Sequence, residues 1–240
     1  MKRRDFSVAA ASAALLGQGL VAVAQAQVAK PESGADYLVL DKRAPVEAPA
    51  GKIEVVEFFW YNCPHCNAFE PTLDAWVKRV PKDVSVRRVP VGFRDEFVPQ
   101  QRLFYTLEAM DLVDKLHAKV FAAIHAEKIP LAKGNDIADW VAKQGVDKAK
   151  FQEQFNSFSV ATKATRATQL QNLYKVAGVP ALGVAGRFYT DGELAKACCG
   201  RCRSPTIWQP RCAPAADWPD ATRHGVADAT RPPMALGGLL

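Results

Sequence analysis

The chain has 240 residues, 49% of them hydrophobic, and a formal charge of +6, which fits one domain of ordinary size or one domain with an insertion. Most of that charge sits at the two ends: residues 27–196 hold 23 basic and 21 acidic residues, a net +2. Such a balance leaves no electrostatic footprint for nucleic acid and excludes that class of partner.

The opening MKRRDFSVAAASAALLGQGLVAVAQAQ is a basic start, then a small apolar run, then Ala24-Gln25-Ala26, the layout of an export signal with its A-x-A cleavage site. The chain is expected to be exported, with a mature start near Gln27, to a compartment where a disulfide can persist. As a membrane anchor the run is too rich in Ala and Gly, is broken by Gln18, and falls short of the roughly 20 strongly apolar residues a span needs. Arg3-Arg4 fits a twin-arginine signal and an ordinary basic start equally well, so the export route stays open.

Tyr37-Leu38-Val39-Leu40 is a short β-prone run. After a loop with Pro45, Pro49 and Gly51, Ile53 to Phe59 reads IEVVEFF, a strand suited to cover on both faces, with Glu57 as its anomaly. Pro64 can occupy the first turn of a helix in which Cys66, Phe69, Leu73, Trp76, Val77 and Val80 recur at helical spacing. Pro71 lies inside that helix and should kink it. Val84 to Val91 alternates as a strand, which completes a βαβ unit and predicts a parallel pair.

Residues from about 95 to 177 are helical in pattern. Their stripes include Leu103, Leu107 and Met110, then Leu116, Val120, Phe121 and Ile124, then Ile137, Trp140 and Val141, then Phe151, Phe155 and Phe158. Stripes of this kind are core faces and carry no chemistry. After Val179-Pro180, the segments Ala181–Val184 and Arg187–Thr190 flank Gly186 as a tight β-ribbon. A mixed sheet that begins with βαβ, is interrupted by an all-helical insertion and resumes with a hairpin is the expected α/β architecture.

The chemistry is concentrated in Cys63-Pro64-His65-Cys66. A c-type haem anchor needs His after the second Cys, and position 67 is Asn. A zinc ribbon needs its second pair about 15–20 residues away, whereas Cys199 and Cys202 lie far along the chain. A structural staple across two residues gains little loop-closure entropy. A redox centre between a strand and a helix N-terminus remains. Cys63 would be the exposed nucleophile, facing free N–H groups and the positive end of the helix dipole, and Cys66 the buried resolving thiol. The dipole supplies about 0.3–2 kcal/mol, and each unit of pKa depression requires about 1.4 kcal/mol. His65, between the sulfurs, is therefore assigned as the tuning residue. A stabilised thiolate favours the reduced form and makes the disulfide an oxidant.

Glu57-Phe58-Phe59, CPHC at 63–66 and Gly178-Val179-Pro180-Ala181 with its hairpin together resemble the DsbA family of periplasmic thiol:disulfide oxidoreductases, over about residues 37–194. The resemblance implies a thioredoxin-like fold with an inserted helical domain, and it covers nearly all of residues 27–196, the working domain left once the expected signal and the atypical tail are set aside. It implies that Val179-Pro180 is a cis peptide beside Cys63 offering backbone to substrate, and that Glu57 helps move the proton of Cys66. The bottom-up reading of Glu57 is a carboxylate paired with Arg87 or Arg88. This family is itself a standard example of a low-pKa cysteine with an oxidising disulfide, so the inferred direction of transfer is not independent of it. Partners implied are reduced exported proteins as substrates and a quinone-linked membrane reoxidant of the DsbB type. No cofactor is needed. With no dimerisation segment of the kind isomerases carry, a monomer is expected. The competing functions are a reductase or isomerase, and a redox-inactive peptide-binding module using the Val179-Pro180 edge.

The pattern changes at Ala197. Residues 197–240 contain no Lys, Glu, Phe or Tyr, but six Pro, five Arg and four Cys. Glu193-Leu194-Ala195-Lys196 starts like the amphipathic helix that closes this family's fold, then gives way to CCGRCRSP. The tail reads as disordered or as the product of a shifted reading frame in a GC-rich gene. A metal-binding tail through Cys198, Cys199, Cys202, Cys212 and His224 is the alternative, although its spacings match no zinc pattern.

Overall fold

The computed structural model describes residues 31–197; the expected export signal and residues 198–240 of the Cys/Pro/Arg-rich tail lie outside them. A five-stranded sheet has the order β1-β5-β4-β2-β3, with β1 Leu38–Val39, β2 Ile53–Phe59, β3 Val84–Pro90, β4 Ala181–Val184 and β5 Phe188–Asp191. The pair β2/β3 is parallel and the other three pairings are antiparallel. The apolar run of β2 takes an inner place, and every residue after Ile53 is buried. The β-prone run at 37–40 forms only two residues of strand, on the edge beside β5.

Helix α1, Pro64–Val77, crosses from β2 to β3. It starts where Cys63 caps it and Pro64 enters the first turn. Pro71 lies inside the helix, which continues through that position to Val77. Five further helices follow, α2 Val98–Ala109, α3 Val113–His125, α4 Gly134–Lys143, α5 Lys148–Phe155 and α6 Phe158–Leu173, preceded by a 3-10 turn at Asp95–Phe97. The caps are legible locally. Asp147 Oδ1 accepts from the Lys150 N–H at 3.0 Å, and Ser157 Oγ accepts from the Val160 N–H at 3.2 Å, each satisfying a donor the helix itself leaves free. Helix α7, Gly192–Ala197, closes the described chain.

Side chains alternate along β2 and separate two apolar clusters. Val55 faces Phe69, Leu73 and Trp76 of α1, together with Leu182, Val184 and Phe188. Val56 and Phe58 face the larger cluster, built mainly by α2 to α6. Phe59, at the carboxyl end of β2, joins that second group and meets Phe104 and Phe121 with ring centroids 5.3 and 6.1 Å away. The helical segment is thereby bonded to the end of the sheet where α1 begins. One expected core residue is not there: Phe158, assigned to the apolar stripe of α5, is the first residue of α6 and is 87% exposed.

The turn between β4 and β5, residues 185–187, places Ala185 and Gly186 at φ of 51° and 70°, a left-handed pair that brings the Arg187 N–H to donate to the Val184 carbonyl at 2.9 Å. Gly183 in β4 lies under Tyr174, whose ring also packs edge-on to Phe58 with centroids 5.2 Å apart. A Cβ at position 183 would sit 2.3 Å from Tyr174 Cε1. Gly183→Ala must therefore displace a buried ring, and should cost about 1–3 kcal/mol of stability, read as a lower urea midpoint with an unchanged slope.

Candidate active site

Cys63 stands at the N-cap of α1 with extended backbone, φ −79° and ψ 118°, and its sulfur accepts from the Cys66 N–H at 3.4 Å. The first helical turn is closed by the Asn67 N–H donating to the Cys63 carbonyl at 3.0 Å. Opposite, the Cys63 thiol donates to the Val179 carbonyl at 3.3 Å, and the Val179–Pro180 bond is cis. Cys63, expected to be exposed, is only 8% accessible as a residue, with the 178–180 loop against its sulfur; Cys66 is fully buried.

The Cys63 thiol is lowered from an ordinary 9.0 to about 6. The largest cause is the hydrogen bond donated by the Cys66 thiol, working against burial, followed by the backbone N–H groups of Cys66 and His65 and then the charge of His65. His65 is exposed and contributes less than Cys66 does, so the tuning assigned to it comes mostly from its neighbour. Cys66 itself is pushed well up by burial, by its bond to Cys63 and by the Cys63 charge. One sulfur thus ionises near neutrality and the other stays protonated, and each condition supports the other.

Beneath the sulfurs lies a polar group that the sequence only partly indicated. Glu57 is opposite Arg88 in the β2/β3 register, and Arg88 Nε approaches Glu57 Oε2 at 3.3 Å. Of the two bases offered as partners for Glu57, Arg88 is the one; Arg87 turns to Glu54 and Glu47 at 3.2 and 3.3 Å. Arg88 also donates to Glu70 of α1 at 2.6 Å. Burial first, and then the Glu70 charge, hold the Glu57 carboxyl well above the usual carboxylate range. Glu70 and His117 were missed. Glu70 lies four residues after Cys66 and so on the same helical face, which was a signal available in the sequence. His117 was hidden inside an apolar stripe.

The loop entering α1 is held from the helical segment. His117 Nδ1 meets the Tyr61 hydroxyl at 2.8 Å, His125 Nε2 meets the Tyr61 carbonyl at 2.8 Å, and Gln100 Nε2 donates to Asn62 Oδ1 at 3.0 Å. Trp60 stacks on Phe97 with centroids 4.0 Å apart. Among the described residues no group of three or more His, Cys, Asp or Glu is arranged to hold a metal ion, and no helix is long and apolar enough to cross a membrane.

The profile of the DSBA-like thioredoxin domain family matches residues 54–195. The thiol:disulfide interchange protein DsbA of Burkholderia cepacia is 47% identical over 180 residues, covering 75% of this chain and 85% of that one. The DsbA of Bordetella parapertussis is 44% identical over 196 residues, covering 81% and 90%. Among solved structures, Pseudomonas aeruginosa DsbA superposes with a TM-score of 0.63 at 43% identity, covering 66% of this chain and 82% of that chain.

The lowered Cys63 thiol makes stability depend on pH in the reduced form alone. Its folded value lies below its unfolded one, so the contribution is fully present above pH 9 and is lost as pH falls towards and through about 6. The melting temperature of the reduced protein minus that of the oxidised protein should therefore shrink steadily as pH is lowered through this window. Alkylation of Cys63 should titrate with the same midpoint.

Proposed function

The chain belongs to the DSBA-like thioredoxin domain family, and from that membership we propose that it donates its Cys63–Cys66 disulfide to exported proteins during oxidative folding. The observation that carries this reading is the asymmetry of the two sulfurs: Cys63 ionises at about 6 while Cys66 is raised and buried. A dithiol stabilised in this way releases electrons reluctantly, so its disulfide accepts them readily, by about 30 mV for each 1.4 kcal/mol.

A substrate thiolate attacks Cys63 Sγ; the Cys63–Cys66 bond breaks as the substrate–Cys63 bond forms, and Cys66 leaves as a thiolate that takes a proton. A second substrate thiolate then attacks the substrate sulfur of the mixed disulfide and expels Cys63 as a thiolate. The substrate gains one disulfide, the enzyme holds a Cys63 thiolate and a Cys66 thiol, and the second substrate proton goes to solvent. Glu57, carrying a proton near neutral pH, serves as the donor to Cys66. The Val179 carbonyl faces the sulfur and, with Pro180, offers an acceptor to the extended chain of a substrate. Pro64 holds the first helical turn, and His65 contributes charge and a backbone N–H to the thiolate.

The working unit is a domain over 27–196 with a helical insertion at about 95–177, exported to the periplasm and trimmed near Ala26/Gln27. A quinone-linked membrane protein of the DsbB type returns the pair to the disulfide, and the unit acts as a monomer.

Cys63→Ser should abolish disulfide transfer to a reduced dithiol peptide; in Cys66→Ala the Cys63 thiolate should attack the disulfide of an oxidised peptide, expel one peptide thiolate and accumulate as the mixed disulfide that Cys66 is no longer there to resolve, both read by intact mass. Persistent turnover by Cys63→Ser would overturn the reading.

A further inference from the structure

The polar groups under the sulfurs form a line longer than thiol chemistry needs. The Tyr61 hydroxyl meets His117 Nδ1 at 2.8 Å, and His117 Nε2 lies 3.4 Å from Glu70 Oε2. Glu70 Oε1 accepts from Arg88 Nη2 at 2.6 Å, and Arg88 Nε lies 3.3 Å from Glu57 Oε2. Four elements supply these side chains: β2, α1, β3 and α3, with the loop before α1 adding Tyr61. All four of Tyr61, Glu57, Glu70 and His117 are buried.

Two carboxyls share one guanidinium here, and charging both would bury a net negative charge, so one keeps a proton. The donors around each decide which. Glu70 has the short bond from Arg88 and faces the His117 ring. Glu57 faces only Arg88 Nε at an unfavourable angle, and neither of its oxygens has a well-directed hydrogen bond. The tautomer of His117 follows from its two neighbours. With the Tyr61 hydroxyl donating to Nδ1, the proton sits on Nε2 and points at Glu70; the other tautomer would set a lone pair against the carboxylate. The contact of Nε2 with Glu70 is charge against dipole rather than a well-directed hydrogen bond. Around the ring stand Phe59, Phe104 and Phe121, with centroids 5.2, 5.8 and 5.3 Å away. The ionisable groups acting on this cluster are Cys63 and Cys66 above it, Glu70 and Asp74 from α1, Arg88 from β3 and Tyr61.

We infer that His117 is a positioning residue: its Nε2–H holds Glu70 as the carboxylate bound to Arg88 and so leaves the shared proton on Glu57, the carboxyl that acts on Cys66. The inference rests on the disulfide-donor reading above. When Cys66 leaves the disulfide as a thiolate, the proton on Glu57 passes to Cys66 Sγ; Glu57 becomes a carboxylate and is reprotonated from solvent. Removing the His117 donor leaves Glu70 Oε2 without the N–H that faces it, draws the shared proton towards that oxygen and leaves Glu57 ionised over more of the pH range.

The test is the single-turnover rate at which the oxidised protein transfers its disulfide to a reduced dithiol peptide, followed against pH. In His117→Phe the alkaline fall in rate, scaled to the same peptide with the unaltered protein, should move to lower pH by about one unit. His117→Gln, which retains an N–H donor, should move it back. His117→Phe leaves the Tyr61 hydroxyl buried without its partner, so the double variant Tyr61→Phe/His117→Phe serves if the single one fails to fold. A second readout needs no turnover: the carboxylic acid carbonyl stretch of Glu57, assigned by its loss in Glu57→Gln, should weaken in His117→Phe at neutral pH. A folded variant with an unmoved alkaline limb and an unchanged stretch would overturn the role of His117 while leaving disulfide donation intact. If the unaltered protein transfers no disulfide, the donor reading fails, and the stretch alone decides where the proton sits.

Discussion

One guanidinium shared by two buried carboxyls is the constraint around which this structure is organised. Arg88 sits opposite Glu57 because β2 and β3 are parallel in a register that pairs those positions, and it reaches Glu70 because α1 lies on that face of the sheet. A displaced register, a helix rotated by a fraction of a turn or an apolar residue in place of Arg88 would leave the Glu70 carboxylate without its partner in the interior. Breaking one member out of such a group generally costs about 3–5 kcal/mol, which is comparable with the whole stability of a small domain. Sheet register, helix placement and sulfur chemistry are therefore linked through one side chain.

The thiolate depends on the same layering from above. In a residue as buried as Cys63 the sulfur's negative charge must be met by fixed donors, and the N-terminus of α1 supplies them together with the Cys66 thiol. Burial alone would raise a thiol; donors that are already in place reverse the sign. The Val179 carbonyl, an acceptor, suits the protonated sulfur. Ionisation leaves that carbonyl facing a negative charge and available to another donor.

The parts of this arrangement that were legible in the sequence are those with a local period or a local motif. The run IEVVEFF gave β2 to the residue, because continuous apolar character with β-branched and aromatic side chains has few other uses. CPHC between a strand and a helix announced its chemistry through spacing and position. Glu57 stood out as a charge in an apolar strand, but the choice between Arg87 and Arg88 turns on which face of the sheet each occupies, and adjacent residues on a strand face opposite ways. Glu54 and Arg87 form a separate pair by the same alternation. His117 was beyond reach: its place in the cluster comes from contacts with Glu70 and with Tyr61, the latter 56 positions away along the chain, and apolar neighbours in α3 disguised it as filler. Phe158 failed in the opposite way, because a spacing that suits the α5 stripe says nothing about the helix ending before it.

The three side chains that reach from the helical segment to Tyr61 and Asn62 bear on how such a site could be moved between proteins. The octapeptide from Trp60 to Asn67 carries both sulfurs and the residues between them, and it looks portable. Set into a plain sheet-and-helix scaffold of the same topology, it would arrive without Gln100, His117 or His125, and its tyrosine hydroxyl and asparagine amide would have to find water in a place designed to exclude it. Reactivity is thus distributed over two stretches of chain that share no sequence neighbourhood. The motif is a short word, and its meaning is set by a sentence that begins some forty residues later.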